Sequence, residues 1–374
     1  MTGDTPIAFD TNKFELVHQV GGIRTATFDW PDAGGAPGCR VAMVDTGSGL
    51  RFTVALDRGG DIVEAFHGRQ SLAYLTPNGY RPPRQPLHRD EDWLAAWPGG
   101  LLTSCGPRYM GPGREEDGLE LALHGQHSNT PAALLELKNP DPGRGDLDMR
   151  LGLVIRDTQM YGPVVEVRRR IACRLGEPVI RLRDEVANLG NSTVAHNWLY
   201  HVNLGYPLLD SGSQLVYGGR VNGGWQMNAD MSMADLSRSD SDLQGYLTVP
   251  EPLPEHAACG SRGLILDIAG DAEGMAHCGV ANRELDLAVV LCYPIRQLPR
   301  LANWQHYAPG GSYVSALEPF SGSLWGKDQD SHPLAAQWLE PGQSRLYEVE
   351  IRVRTGSTAI DGLLEERKPL SWDL

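Results

Sequence analysis

The chain has 374 residues, with 33 Lys and Arg against 47 Asp and Glu, a formal charge of −14. Phosphate neutralisation needs a basic face, so this balance excludes nucleic acid and an anionic membrane as natural partners. Acidic substrates gain no long-range attraction either, which leaves a local arginine cluster as the one way to hold an anion.

Glycine (44) and proline (26) are spread along the chain, which suits many turns between short strands. The six cysteines, at 39, 105, 173, 259, 278 and 292, form no CxxC pair. In a chain of this size they read as reduced thiols in a cytoplasmic protein. The N-terminus has no basic segment followed by an apolar run, so no secretory signal is expected. No apolar run approaches the roughly 18 residues of a membrane span.

Residues 1–37 read as a lead-in, with one or two strands between Glu15 and Thr27 and a turn-rich DAGGAPG break. Strand patterns begin at Cys39 with RVAMVDTG and LRFTVALD, followed by DRGGDIVEAFHG. Residues 77–100 form a Pro-rich loop with a short helix expected near Asp90–Ala96; a loop that long inside a compact domain is usually functional. From Leu147, DLDMRLGLVIRD, VVEVRRRIACRL and VIRLRDEVANLG alternate, and their arginines read as a solvated face. LYHVNLGYPLL is another strand, residues 219–260 read as polar and irregular, and LDLAVVLCYPI, SYVSALEPF and RLYEVEIRVR add three more strands. Residues 356–374 read as a tail. With no helical crossovers, the expectation is a single all-β domain, an antiparallel sandwich of large sheets over residues 38–355. Such edge-rich sheets are compatible with a homodimer.

The most chemically loaded stretch is LHGQHSNTPA, residues 123–132. Gly125 directly after His124 lets backbone approach a ligand closely. His124 and His127 are three apart, but on strand and loop with no acidic neighbour they make no metal set, so no metal is expected. His127 reads as a surface or supporting residue. His196 and His201 fall on opposite faces of one strand. The face of His201 also carries Asn203 and Gly205, which makes His201 the functional candidate. Glu318 closes an apolar strand just before Pro319; a lone carboxylate there is expensive to bury unless paired, and so is a candidate base with a tuned pKa. Arg58 and Asp61 bracket Gly59-Gly60; they either pair with each other or Arg58 holds a ligand oxygen. Asn129 and Asn203 are candidate hydroxyl ligands, and Trp304 in LANWQHYAPGG could stack on a sugar face. No phosphate-binding glycine loop and no GxSxG elbow is present.

LHGQHSNTPA, YHVNLGYPLL and ANWQHYAPGGSYVSALEPF, in that order, resemble the galactose mutarotase-like (aldose 1-epimerase) superfamily. DRGGDI and GGLLTSCG bring the resemblance closer to an uncharacterised bacterial subgroup of it, over residues 40–355. The resemblance implies a β-supersandwich, a cleft on one sheet, and a small-molecule carbohydrate as partner, with no cofactor. It places a sugar-binding His at His124, a general acid at His201 and a general base at Glu318. The implied reaction is ring opening and reclosure: His201 protonates the ring oxygen while Glu318 takes the proton of the anomeric hydroxyl. Two departures stand out. Mutarotases carry H-x-Y-F-N-L with His four before Asn, whereas His201 is two before Asn203, the same face but about 7 Å along the strand. The family's early Arg and central Asp have only loose stand-ins, Arg58 or Arg108 and Glu255. A binding protein without mutarotase activity, or a sugar isomerase or lyase using the same His/Glu pair, are the competing functions.

Overall fold

The computed structural model describes residues 9–29, 38–83, 87, 89–116, 119–230, 232–236, 243–325 and 332–372. The DAGGAPG break and the middle of the Pro-rich loop fall largely outside these residues.

Three large, mainly antiparallel sheets dominate the described residues, beside two two-stranded ribbons, Val194–Ala195 with Trp338–Leu339 and Arg114–Glu116 with Leu119–Leu121. The first is N-terminal and runs in chain order through Gly22–Phe28, Cys39–Asp45, Leu50–Ala55, Asp61–His67 and Gln70–Ser71. The lead-in therefore contributes an edge strand to this sheet. The second, the back sheet, orders its eight strands as Gln214–Val216, Met275–Asn282, Leu287–Pro294, Ser344–Thr355, Val179–Asn188, Val164–Arg174, Asp148–Thr158 and Ala132–Lys138. The third, the site sheet, orders Met233–Asp235, Gly219–Met227, Ser261–Ile268, Arg300–Tyr307, Tyr313–Phe320, Leu199–Gly205 and Thr103–Cys105. Leu370–Trp372, in the tail, pairs parallel with Gly219–Met227. This is the all-β architecture the strand patterns imply. One hydrophobic core lies among the three large sheets, drawing Phe52 and Ile62 from the first, Ile171 and Leu182 from the back sheet, and Tyr200 and Leu317 from the site sheet, with Trp198 just before that sheet's Leu199–Gly205 strand. All six cysteines are free.

Two expectations change. Gly219–Met227 is a nine-residue strand, not an irregular segment. Its alternation is interrupted by a register shift between Val221 and Gly223, and a run of glycines hides the pattern. The second change is Arg169. Arg168 and Arg170 are exposed as a solvated face requires, but Arg169 points inward by the two-residue period and is 1% exposed.

Around Arg169 the core is ionic. Its guanidinium makes two hydrogen bonds to Asp184, at 2.9 and 2.8 Å, and one to Ser104 Oγ at 2.6 Å. It also donates to the carbonyls of Gly59 and Gly60, both at 3.1 Å, and to Asp61 Oδ1 at 3.3 Å. Tyr200 Oη donates to Asp184 at 2.6 Å. Desolvation costs each of these charges several kcal/mol, which the hydrogen bonds among them offset in part; at Asp61 burial still outweighs Arg169 and Ser104 and pushes the carboxyl up to about 6.

Two short helices complete the described fold: α1, Asp90–Ala96, and α2, Ser357–Glu365. The α1 span coincides with the helix expected in the Pro-rich loop, and Pro98 bars its continuation. Replacing Arg169 with Leu strands two buried carboxylates. The expected loss is about 3–5 kcal/mol, read as a lower urea midpoint at unchanged m-value.

Candidate functional site

Period-two alternation sorts the site sheet into two faces. Tyr200, Val202, Leu301 and Leu317 face the core; Leu199, His201, Ala302, Trp304, Glu318 and Phe320 share the opposite face. Ala302 lies opposite Glu318, Leu199 opposite Phe320, and Thr103 opposite His201 in register. The carboxylate is thereby surrounded by small and apolar neighbours, with Cys105, Leu199, Ala302 and Phe320 forming one cluster.

His201 Nε2 lies 3.5 Å from Glu318 Oε1, and the two residues are 5% and 4% exposed. Burial pushes the Glu318 carboxyl up to about 8. Burial also pulls the His201 imidazole down to about 4, opposed by the Asn203 carboxamide two residues along the same face. Both groups are therefore uncharged at pH 7: Glu318 holds a proton and His201 lacks one. In this resting state the proton sits on Glu318, whereas the roles implied by the family resemblance start with it on His201. The physical reason is that a low-dielectric pocket disfavours the charge-separated form of a pair holding the same number of protons.

The buried polar atoms here lack partners. Neither His201 Nδ1 nor Asn203 Oδ1 has a hydrogen bond, although Asn203 Nδ2 donates to the carbonyls of Gly100 and His201 at 3.0 and 3.1 Å. Buried polar groups are ordinarily satisfied, so a convergence of unmet ones marks a place built for something else to supply the partner.

His124 completes the group. Its ring meets that of His201 edge-on at 5.4 Å and that of Trp93 at 5.0 Å. Gly111 N–H donates to His124 Nδ1 at 3.3 Å, which leaves the proton on Nε2. Burial, then the neighbouring His201, hold this imidazole well below its ordinary pKa, so it is a neutral donor. The backbone at His124 is left-handed, φ 57°, and Gly125 follows at φ 75°. A Cβ on Gly125 would stand 2.6 Å from the Tyr109 carbonyl and 2.7 Å from that of Gly106. The glycine thus admits the protein's own backbone, not a ligand's approach, and the fold it allows is what turns His124 toward His201.

Aromatic rings from two elements wall the site. Trp97, near the end of α1, stacks on Trp93 at 5.1 Å, meets His201 at 5.5 Å, and donates from Nε1 to Thr103 Oγ1 at 2.9 Å. Trp304, on the site sheet, lies 6.0 Å from His201 and 6.3 Å from Trp97, with His306 stacked beside it at 5.8 Å. Trp93 and Trp97 were not singled out in the sequence as site residues. Their signal was present: two tryptophans inside a Pro-rich loop that polar residues could have filled.

Other candidates lie elsewhere. Arg58, Asp61 and Asn129, expected to hold hydroxyls, are 2%, 3% and 0% exposed in the ionic layer on the core side of the sheet. Arg58 Nη1 donates to Asn129 Oδ1 at 2.8 Å, and Asp61 accepts from Arg169 and from Ser104 N–H at 3.0 Å. These contacts hold the three residues within the fold, although Arg58 Nε has no partner, and Asp61 pairs with Arg169 where Arg58 was expected. His127 is buried too, bonded to the Gly59 carbonyl at 3.1 Å and set edge-on to Trp198. His196 sits between the Pro107 carbonyl and Tyr347 Oη. Arg108 pairs with Asp157 at 2.7 Å, and Glu255 is exposed. Among the described residues no three His, Cys, Asp or Glu side chains are grouped as a metal-ligand set.

The sheets described above form an all-β architecture of the galactose mutarotase-like kind. Among solved structures, a "putative aldose 1-epimerase" from Klebsiella pneumoniae superimposes with a TM-score of 0.79 at 17% identity, covering 94% of this chain and 90% of that one. A galactose mutarotase-like protein from Clostridium acetobutylicum gives 0.62 at 12% identity, covering 90% and 100%. A galactose 1-epimerase from Lactobacillus acidophilus gives 0.51 at 13% identity, covering 89% and 99%. At these identities the likeness establishes the fold. The family model described as a domain of unknown function, DUF4432, matches residues 36–353, and the chain belongs to that family. No curated protein matches the chain.

The Glu318 carboxyl has a direct stability signature. Its ordinary value is 4.5 and its folded value about 8, so above pH 4.5 the folded state retains a proton that the unfolded chain releases. Its contribution is complete below 4.5 and is lost as pH rises through 8. Glu318→Gln, neutral at all pH, is expected to be more stable than the parent by on the order of 4 kcal/mol at pH 8 and nearly equal at pH 4.5. Urea unfolding at the two pH values checks this.

Proposed function

We propose that the protein interconverts the anomers of a free sugar, as an aldose 1-epimerase-like enzyme in which Glu318 and His201 form one acid–base unit. The observation that carries this reading is a buried carboxyl and imidazole 3.5 Å apart, each with an unmet polar atom beside it or on it. The ring oxygen and anomeric hydroxyl of a cyclic sugar hang on one carbon. A proton donor and acceptor this close can therefore address both at once.

In the uncharged pair, protonated Glu318 gives its proton to the ring oxygen while His201 Nε2 takes that of the anomeric hydroxyl. The C1–C2 bond of the open aldehyde turns, and reclosure returns each proton from the other side. The neutral Nε2–H of His124 is placed to donate to a sugar oxygen. Trp304, Trp93 and Trp97 offer flat apolar faces to the C–H side of a sugar ring. The step needs only these side chains. Free cysteines throughout support a cytoplasmic setting.

Polarimetry or saturation-transfer NMR of anomer exchange over a panel of sugars tests the proposal. Glu318→Gln and His201→Asn are each expected to lower the exchange rate by about 10²–10⁴-fold. Binding without exchange on every sugar would move the assignment to a carbohydrate-binding protein. Solvent deuterium entering carbon would move it to an isomerase. The pH profile of kcat/KM should be a bell: its acid limb falls as His201 gains a proton near 4, and its alkaline limb falls as Glu318 loses one near 8. A profile whose alkaline limb survives in Glu318→Gln would remove Glu318 from the role of acid.

A further inference from the structure

A cavity that neither His201 nor Glu318 lines lies between α2 and the outer face of the back sheet, with a volume of about 500 Å³. That is within the range of small-molecule sites. Its floor is apolar, with Val216 and Val290 from the sheet and Leu363 from α2. Four basic side chains line it: His277, Arg354, Arg367 and Lys368. Asp271 and Glu366 are the acidic ones.

Two carboxylates against four basic groups leave the lining a surplus of positive charge. Asp271 is engaged by His277, whose Nε2 lies 2.8 Å from Asp271 Oδ2. The Nδ1 of the same ring lies 3.3 Å from Cys292 Sγ, its cross-strand partner. These contacts, that with Cys292 foremost, raise the His277 pKa to about 9, against burial, so the ring is cationic at neutral pH. Cys292 is 3% exposed behind the imidazole, which leaves this Cys–His–Asp row no accessible nucleophile.

Arg354, Arg367 and Lys368 form no ion pair with any described residue; Arg367 Nη1 reaches only the Leu215 carbonyl, at 3.4 Å. On the same sheet surface the neighbouring arginines are matched: Arg352 and Arg181 with Glu350, Arg183 with Glu348. Three unmatched cations around one apolar-floored cavity are conspicuous in a chain of charge −14. On the α2 side, a Cβ built on Gly362, which lines the cavity, meets nothing within 4 Å, so the helix leaves open space there.

We propose that this cavity is a second binding site, for a small organic phosphate whose apolar body rests on Val290 and Leu363 and whose phosphate is held by Arg354, Arg367 and Lys368 beside His277. Guanidinium groups match phosphate oxygens in pairs, and an ammonium adds a mobile charge. A dianion suits this surplus better than a neutral sugar, so the site differs in ligand class from the His201–Glu318 pair.

Isothermal titration with phenyl phosphate as probe tests it, with phenol and inorganic phosphate as references. Phenyl phosphate is expected to bind saturably and more tightly than either reference. Arg354→Glu combined with Lys368→Glu, both at exposed positions, should weaken it by about tenfold or more. Circular dichroism and anomer exchange of the double variant should match the parent. Absence of saturable binding, equal binding of phenol, or an unchanged dissociation constant in the double variant would overturn the proposal. None of these outcomes bears on the exchange reaction.

Discussion

The interaction on which the rest depends is the buried guanidinium of Arg169. It belongs to the back sheet, grips the Gly59–Gly60 turn and Asp61 of the N-terminal sheet, and reaches Ser104 of the site sheet. Tyr200 joins it through Asp184. Three sheets are thus keyed at one point. The two-residue period then does the rest: with Tyr200 and Ser104 fixed inward, His201 and Thr103 must face outward. A shift of one residue would exchange the ionic core with the face that carries His201 and Glu318, which is the kind of slip a core of apolar contacts alone resists less sharply.

What lies outward is a site without formal charge. The same apolar surroundings that make Glu318 a reluctant carboxylate make His201 a reluctant imidazolium. The proton therefore starts on the oxygen. Family resemblance supplies the identity of the two residues but not this starting state, which depends on the dielectric around them and on Asn203 as the neighbour opposing it. The proposed ring opening and reclosure is symmetric in its two directions, so a pair that begins as neutral acid and neutral base would serve both.

The sequence reveals much of the fold because strand alternation and turn glycines are local. His201 and Asn203 could be placed on one face from spacing alone, and Glu318 stood out as a carboxylate in an apolar strand. Arg58, Asp61 and Asn129 were legible as a polar group but not as a buried one; Arg169, the partner of Asp61, sits more than a hundred residues along the chain from it, hidden between two surface arginines. The role of Gly125 was misread for a related reason. Its close neighbour is backbone from a loop around Gly106, which no local pattern shows. The tryptophans of α1 became meaningful only when the helix was seen against the site sheet.

Those tryptophans have a further consequence. Trp97 is in ring contact with His201 and Trp304, and Trp93 with His124. An indole excited state is sensitive to the charge and solvation of an imidazole beside it. The chain therefore carries its own optical reporter at the place where a ligand would displace water and redistribute a proton. Because Trp97 is moored to Thr103, the residue paired with His201 across the two strands, the emission of this cluster follows the surroundings of His201 and not the tumbling of a loose loop.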